Sequence, residues 1–301
     1  MIQAVESYLA VRHAVGFDLV NAGYLLRSFA RFAAERNETH VRATTAIDWA
    51  SQSSSLARRD ERLKTVNRFA RYIHAEDNRH EVPPANHFGY CKTRRIPHIY
   101  PSAEINRLID AALHLGPPGA LQPQTYATLI GLLAATGLRI SEALSLQFSD
   151  ITPSGLLIQK TKFQKTRLVP VHETTEAGLD RYLTRRHQVR SKGEDVFITD
   201  DGQPLPYWHV NSTFRKLLKT TNLSASGSSR PRLHDMRHTF AVRALEASPA
   251  GRQRVGQHML ALATYMGHVN INATYWYLEI TPELLHDIAV ASEGFLYGGQ
   301  L

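Results

Sequence analysis

Near the end of the chain stand His268 and Tyr277, preceded by two widely separated arginines, Arg139 and Arg237. A lysine-bearing turn at Lys162 lies between the arginines. Two guanidiniums, an ammonium, imidazoles and a phenol make a cation-rich set with one latent oxygen nucleophile. Such a set suits chemistry on a phosphodiester, where negative charge must be held while a hydroxyl attacks phosphorus.

Taken singly, each residue has an ordinary explanation. Arg139 sits in ATGLRISEAL just past a glycine turn, with Glu142 three residues on. The pair could position a phosphate-binding fork, or be a helix-surface salt bridge. Lysines of the Lys160–Arg167 turn could reach a ligand, or serve solubility alone. In LHDMRHTF, His234 and Arg237 share a helical face. His234 and His238, four apart, invite a metal reading, but the HExxH glutamate is missing and no Cys, Asp or Glu cluster offers a third ligand. Hence no metal and no cofactor are expected. Tyr265, Tyr275 and Tyr277 compete as nucleophiles, and phenols need cationic neighbours because their ordinary pKa is about 10.

The elements that must position these residues are mostly helices. A chain of 301 residues with 43% hydrophobic residues favours two folded domains. A net charge of +8 and a pI near 9.6 point to a polyanion, with nucleic acid the commonest. The lone Cys91 rules out an intrachain disulfide. Glu6 and other polar residues interrupt the start, unlike a signal peptide, and no apolar run spans a membrane. A soluble, cytoplasmic, nucleoid-associated protein without membrane contact is expected.

Residues 1–82 carry apolar positions at three- and four-residue steps between arginines, predicting a bundle of about four helices. Thr44 or Thr45 is the expected cap of a short helix over 45–50. Residues 83–101 form a linker with Pro83, Pro84, Pro97 and Pro101 and a basic run, Lys92, Arg94 and Arg95. Ser102 should cap the next helix, and a second, over 123–135, should stop at Gly137. A further helix is expected from Ile140 through Gln147. GLLIQ and TRLVPV read as two strands, with Asp195–Ile198 a third strand or edge. A helix in WHVNSTFRKLLKTT is followed by a polar loop over 223–232 and then by helices in LHDMRHTFAVRALEA, HMLALATYMG, ATYWYLEI and PELLHDIAVAS. The fold class is therefore mainly α with a small antiparallel sheet: a helical domain, a linker, an α+β domain over 102–281, and a tail over 282–301.

In this order and spacing, the Arg…Lys…His-x-x-Arg…Gly-His…Tyr series resembles the tyrosine recombinase (phage integrase-like) family, which includes Xer-type recombinases, lambda-type integrases and Cre. The likeness spans the second domain and, more loosely, the helical first domain. It implies a SAM-like core-binding domain followed by the family's catalytic domain. Position by position, Arg139 resembles the first arginine, Glu142 its acidic companion, and His234 and Arg237 the H-x-x-R pair. His268 matches the Gly-His histidine, and the nine-residue spacing beyond it selects Tyr277. TKFQKTRLVPV aligns Lys162 with the hairpin lysine, although the family's glycines are absent there, leaving Lys160 and Lys165 as rivals. The ASPAGRQRVGQH stretch is longer than the usual connection and reads as a surface variation.

The resemblance implies cleavage of DNA by a tyrosine, giving a 3′-phosphotyrosyl link and a free 5′-hydroxyl, with no metal or ATP. Arg139 and Arg237 would hold the non-bridging oxygens, Lys162 would protonate the leaving 5′ oxygen, and His234 and His268 would position the phosphate and move the tyrosine proton. Arg58, Arg59, Arg62, Lys64, Arg68, Lys92, Arg94, Arg95 and Lys165 are the candidate DNA contacts, each alternatively a solvated charge. The implied partners are double-stranded DNA carrying a specific recombination site and further recombinase subunits, either copies forming a tetramer on paired sites or a related recombinase. The tail either caps its own domain or docks on a neighbour. A mobile-element recombinase is favoured over Xer-like dimer resolution. A type IB topoisomerase or telomere resolvase, a DNA-binding factor without catalysis, and a metal hydrolase on His234 and His238 are the competing readings.

Overall fold

The computed structural model describes residues 1–91, 95–159, 166–223, 230–247, 252–267, 274, 276 and 277. The chain divides into two compact units, Met1–Arg94 and Arg95–Leu301.

The first unit is helical: α1 (Ile2–Ala14), α2 (Val20–Ala34), α3 (Ala43–Ser51) and α4 (Leu56–His74). Their apolar stripes meet in one core that includes Leu9, Leu26, Phe29, Trp49, Leu63 and Phe69. Ser55 caps α4 by accepting the Arg58 N–H. The cap expected from Thr44 or Thr45 is not made. The N-cap of α3 is Arg42, and the Ala43 N–H donates instead to Glu81 Oε2 at 2.8 Å. Thr45 is buried inside the helix and donates to Glu38.

In the second unit, α5 (Ser102–Leu113) packs on α6 (Gln122–Thr136), followed by the short α7 (Ile140–Leu144). A 3-10 turn over Phe148–Asp150 leads into a three-stranded antiparallel sheet of β1 (Ile151–Thr152), β2 (Gly155–Ile158) and β3 (Arg167–Val169), in that order. Helices α8 (Glu173–Arg186), α9 (Tyr207–Thr220), α10 (Asp235–Glu246) and α11 (Arg252–Met266) complete it. Its main core runs from Tyr100 and Leu108 through Tyr126 and Leu133 to Phe197, Phe214 and Met236.

Several expectations are corrected. Ser102 is the first residue of α5, not its cap, which is Pro101. Helix α7 stops at Leu144 instead of reaching Gln147. The third strand is β1; Asp195 and Ile198 make only isolated bridges, to Gln147 and Pro204. Helix α8 was not foreseen. Nor is the stretch before Met259 wholly a connection, since α11 begins at Arg252. No helix among the described residues is long and apolar enough to cross a membrane.

Candidate active site

The site is built where four helix ends meet: the ends of α6 and α11 and the starts of α7 and α10. Gly137, in the left-handed conformation at φ 60°, ends α6. The chain turns through Arg139, the N-cap of α7, whose backbone N–H donates to Glu142 Oε2 at 2.9 Å. The Arg139 guanidinium donates to Glu142 Oε1 at 2.7 Å and to the Gly267 carbonyl at 3.3 Å.

Arg237 lies in the first turn of α10 and is 3% exposed. It donates to the Gly137 and Met266 carbonyls, both at 2.6 Å. Two guanidiniums thus bond consecutive carbonyls, Met266 and Gly267, at the C-terminal end of α11, and one also reaches the end of α6. These ends carry partial negative charge from the helix dipole, which offsets the repulsion between the arginines. Burial, then the charge of Arg139, pushes Arg237 down to about 10, so it stays a cation at neutral pH.

Glu142 is the anion that holds the cluster together. Besides Arg139 it accepts both ends of the Arg167 fork, at 3.0 and 2.8 Å. Burial works to raise its pKa, but the donors from Arg167 and Arg139 outweigh it and hold the carboxyl down to about 2. Arg167 also donates to the Tyr265 carbonyl at 2.9 Å, tying β3 to α11. Sequence reasoning missed this residue. Its signal was phase: Arg167 alternates with the buried Val169, whereas Leu168 between them faces out.

His234 is the N-cap of α10 and is exposed. Its ring stands edge-on to His238 at 5.0 Å between centroids. The tyrosine selected by spacing, Tyr277, is buried against α10 and α11 with Val242, Met259 and Met266. Its hydroxyl lies 3.1 Å from His238 Nδ1. The structure therefore places Arg139, Glu142, His234 and Arg237 at the starts of α7 and α10, with Tyr277 buried against α10 and α11. Lys160, Lys162, Lys165 and His268 lie outside the described residues, as do Lys92 and Arg94.

Of the other basic candidates, Arg58 and Arg68 are exposed along α4. Arg59 donates to the Ser53 carbonyl, Arg62 lies 3.9 Å over the Trp49 ring, and Lys64 pairs with Asp60 at 2.9 Å. Arg95 is exposed and donates to the Arg230 carbonyl.

Among the described residues, the one group of three ligand-type side chains is His40, Asp77 and His80 in the first unit. There His80 Nδ1 accepts the Val41 N–H and Arg79 holds Asp77 through three guanidinium contacts. The first bond fastens the chain after α4 to the segment before α3, and the second engages the Asp77 carboxylate. His234 and His238 acquire no third such partner among the described residues.

The second unit is thus mainly helical, with two buttressed arginines and a buried tyrosine beside the His238 imidazole. Residues 100–283 match the phage integrase family. An integrase/recombinase-named protein of Sinorhizobium fredii, y4rB, is 36% identical over 95% of this chain and 94% of its own. A tyrosine recombinase XerD of Oceanobacillus iheyensis is 26% identical over 79% of this chain and 76% of its own. The crystal structure of a lambda integrase dimer bound to a COC′ core site superposes with a TM-score of 0.66, at 15% identity, over 92% of this chain and 94% of that one. The chain belongs to the phage integrase family of tyrosine recombinases, enzymes that break and rejoin DNA.

Proposed function

We propose that this recombinase cuts and rejoins duplex DNA at a specific site with Tyr277 as the nucleophile, serving a mobile element. The observation that carries the reading is the pair of arginine bonds to the Met266 and Gly267 carbonyls, the two residues leading into His268, eleven and ten residues before Tyr277. Arg139 and Arg237, fixed from behind by carbonyls and by Glu142, present the remaining guanidinium edges to a phosphate. As the tyrosine attacks, charge grows on the non-bridging oxygens, and donors already in place stabilise it without reorganisation. His234 and His268 contact the same phosphate. Lys162 protonates the leaving 5′ oxygen, and the phosphotyrosyl ester keeps the energy of the broken bond for rejoining, so that strand exchange needs neither metal nor ATP.

Helix α4, with the exposed Arg58 and Arg68, and the basic stretch Lys92, Arg94 and Arg95 hold the DNA backbone as the first domain and its strap. Four subunits on two paired sites complete the reaction. The likeness to an integrase/recombinase over nearly the whole chain, at 36% identity, supports a mobile-element role over Xer-like dimer resolution, where the XerD match is 26%.

The test is covalent trapping without divalent metal, on a nicked suicide duplex bearing the site that flanks the gene. Wild type should give a protein–DNA band on a denaturing gel, and Tyr277→Phe should give none. An adduct surviving in Tyr277→Phe transfers the nucleophile role to another residue.

A further inference from the structure

His238 entered the sequence reading only as half of a metal pair, and the mechanism above gives it no task. Yet of the described histidines it is the one whose ring nitrogen meets the Tyr277 oxygen, 3.1 Å from Nδ1. The imidazole is half-buried and bracketed by consecutive residues of the tyrosine segment. Its centroid is 5.3 Å from that of Trp276 and 5.6 Å from that of Tyr277, with His234 edge-on at 5.0 Å on another side. Position 238 is fixed by α10 itself, one residue after Arg237, so the helix that sets the phosphate-binding guanidinium also sets this ring.

Resting on Tyr277 as the nucleophile, we propose that His238 is a further catalytic residue, accepting the tyrosine hydroxyl at Nδ1 and taking its proton as the oxygen attacks phosphorus. The balance is complete within the strand-cleavage step. The Oη–H bond breaks and Nδ1–H forms; the Oη–P bond forms as the P–O5′ bond breaks, and the 5′ oxygen takes a proton from the leaving-group acid. Rejoining reverses each transfer, and Nδ1 returns its proton to the departing phenolate. The tautomer required carries its resting proton on Nε2.

The surroundings suit an acceptor. Burial, then His234, Arg232 and Arg237, push His238 down to about 4, against the opposing pull of Asp235. The ring is therefore neutral, with a lone pair to offer, through the whole physiological range. A phosphodiester entering between Arg139 and Arg237 brings negative charge that favours the imidazolium once the proton moves. His234, exposed at the helix start, is left to face the DNA.

Full-length His238→Phe and His238→Asn are the informative variants. Phenylalanine keeps the ring packing; asparagine keeps an acceptor near the Nδ1 position that holds no proton. Single-turnover cleavage of the suicide duplex would be followed from pH 5.5 to 9, with DNA affinity and thermal melting as controls. Both variants should bind DNA like wild type yet cleave about 100-fold or more slowly. Their rates should climb with pH toward the ordinary phenol pKa of about 10, because only pre-formed phenolate then reacts. A 5′-bridging phosphorothiolate, whose sulfur leaves without a proton, should not rescue them. Wild-type cleavage and pH profile in His238→Asn would overturn proton uptake and leave orientation alone. Cleavage within threefold of wild type in both variants, with Tyr277→Phe inactive, would overturn the inference but not the nucleophile. An active Tyr277→Phe would instead remove the reading beneath it.

Discussion

At the scale of the residue, the site depends on one carboxylate placed between two guanidiniums. Glu142 has a side chain only 6% exposed and pairs with Arg139 and Arg167 at once. Removing the charge leaves two cations facing an amide, so Glu142→Gln should cost about 3 kcal/mol in chemical denaturation, the lower end for a broken buried pair because Arg139 is nearly a third exposed. Since the folded pKa of about 2 lies below the ordinary 4.5, this stabilisation is complete above pH 4.5 and lost as pH falls toward 2. The variant should lack that segment of acid sensitivity, and an acid-unfolding curve identical to wild type would refute the linkage. Arg139, Glu142 and Arg237 were legible in the sequence because their spacing is local: three residues on one short helix, or one turn of another. Arg167 and His238 were not. Arg167 acts 25 residues from its carboxylate and His238 39 from the tyrosine, distances that only tertiary packing closes.

At the scale of the element, helix ends do the positioning. Gly137 ends α6 with a left-handed residue, and its carbonyl accepts from Arg237. A Cβ there would lie 2.5 Å from Cδ1 of Phe240, whose ring is stacked on Tyr265 and cannot retreat freely. Gly137→Ala should therefore lose about 2 kcal/mol from the strained conformation and overpacking together. Cleavage should suffer more than DNA affinity, since the displaced carbonyl is a support of Arg237; trapping kinetics and binding titrations on one preparation separate the two. An alanine variant with wild-type stability would mean that Phe240 yields. The glycine stop was readable from sequence because α6 before it is so apolar. Helix α8 was not, because its buried face is Leu179, Tyr182 and Arg186, and a guanidinium satisfied by the Asp195 and Gly193 carbonyls reads as surface. The two-residue β1 is too short for an alternating pattern to show.

At the scale of the whole molecule, a charge of +8 gives the chain attraction for DNA, but the side chains do not share it equally. Along α4, Arg59, Arg62 and Lys64 are engaged by the Ser53 carbonyl, the Trp49 ring and Asp60. Arg58 and Arg68 are exposed, and ordering them against a phosphate breaks no ion pair with a carboxylate of the described residues. Each phosphate neutralised releases condensed counterions, so the logarithm of affinity falls against the logarithm of salt by about 0.9 per contact. The double variant Arg58→Ala/Arg68→Ala should thus flatten the slope by about 1.8 between 50 and 200 mM salt, whatever the duplex sequence. Arg62→Ala should leave the slope alone and cost about 0.5–1 kcal/mol of stability through the lost contact with Trp49. Fluorescence anisotropy on the full-length protein reads the slopes, and melting reads the stability. If the double variant keeps the wild-type slope while Arg62→Ala flattens it, the contact with Trp49 is given up on binding and the DNA-facing side of α4 is the one that now looks occupied. The adduct formed at saturating protein should be unchanged in the double variant, because neither arginine belongs to the unit that carries Tyr277.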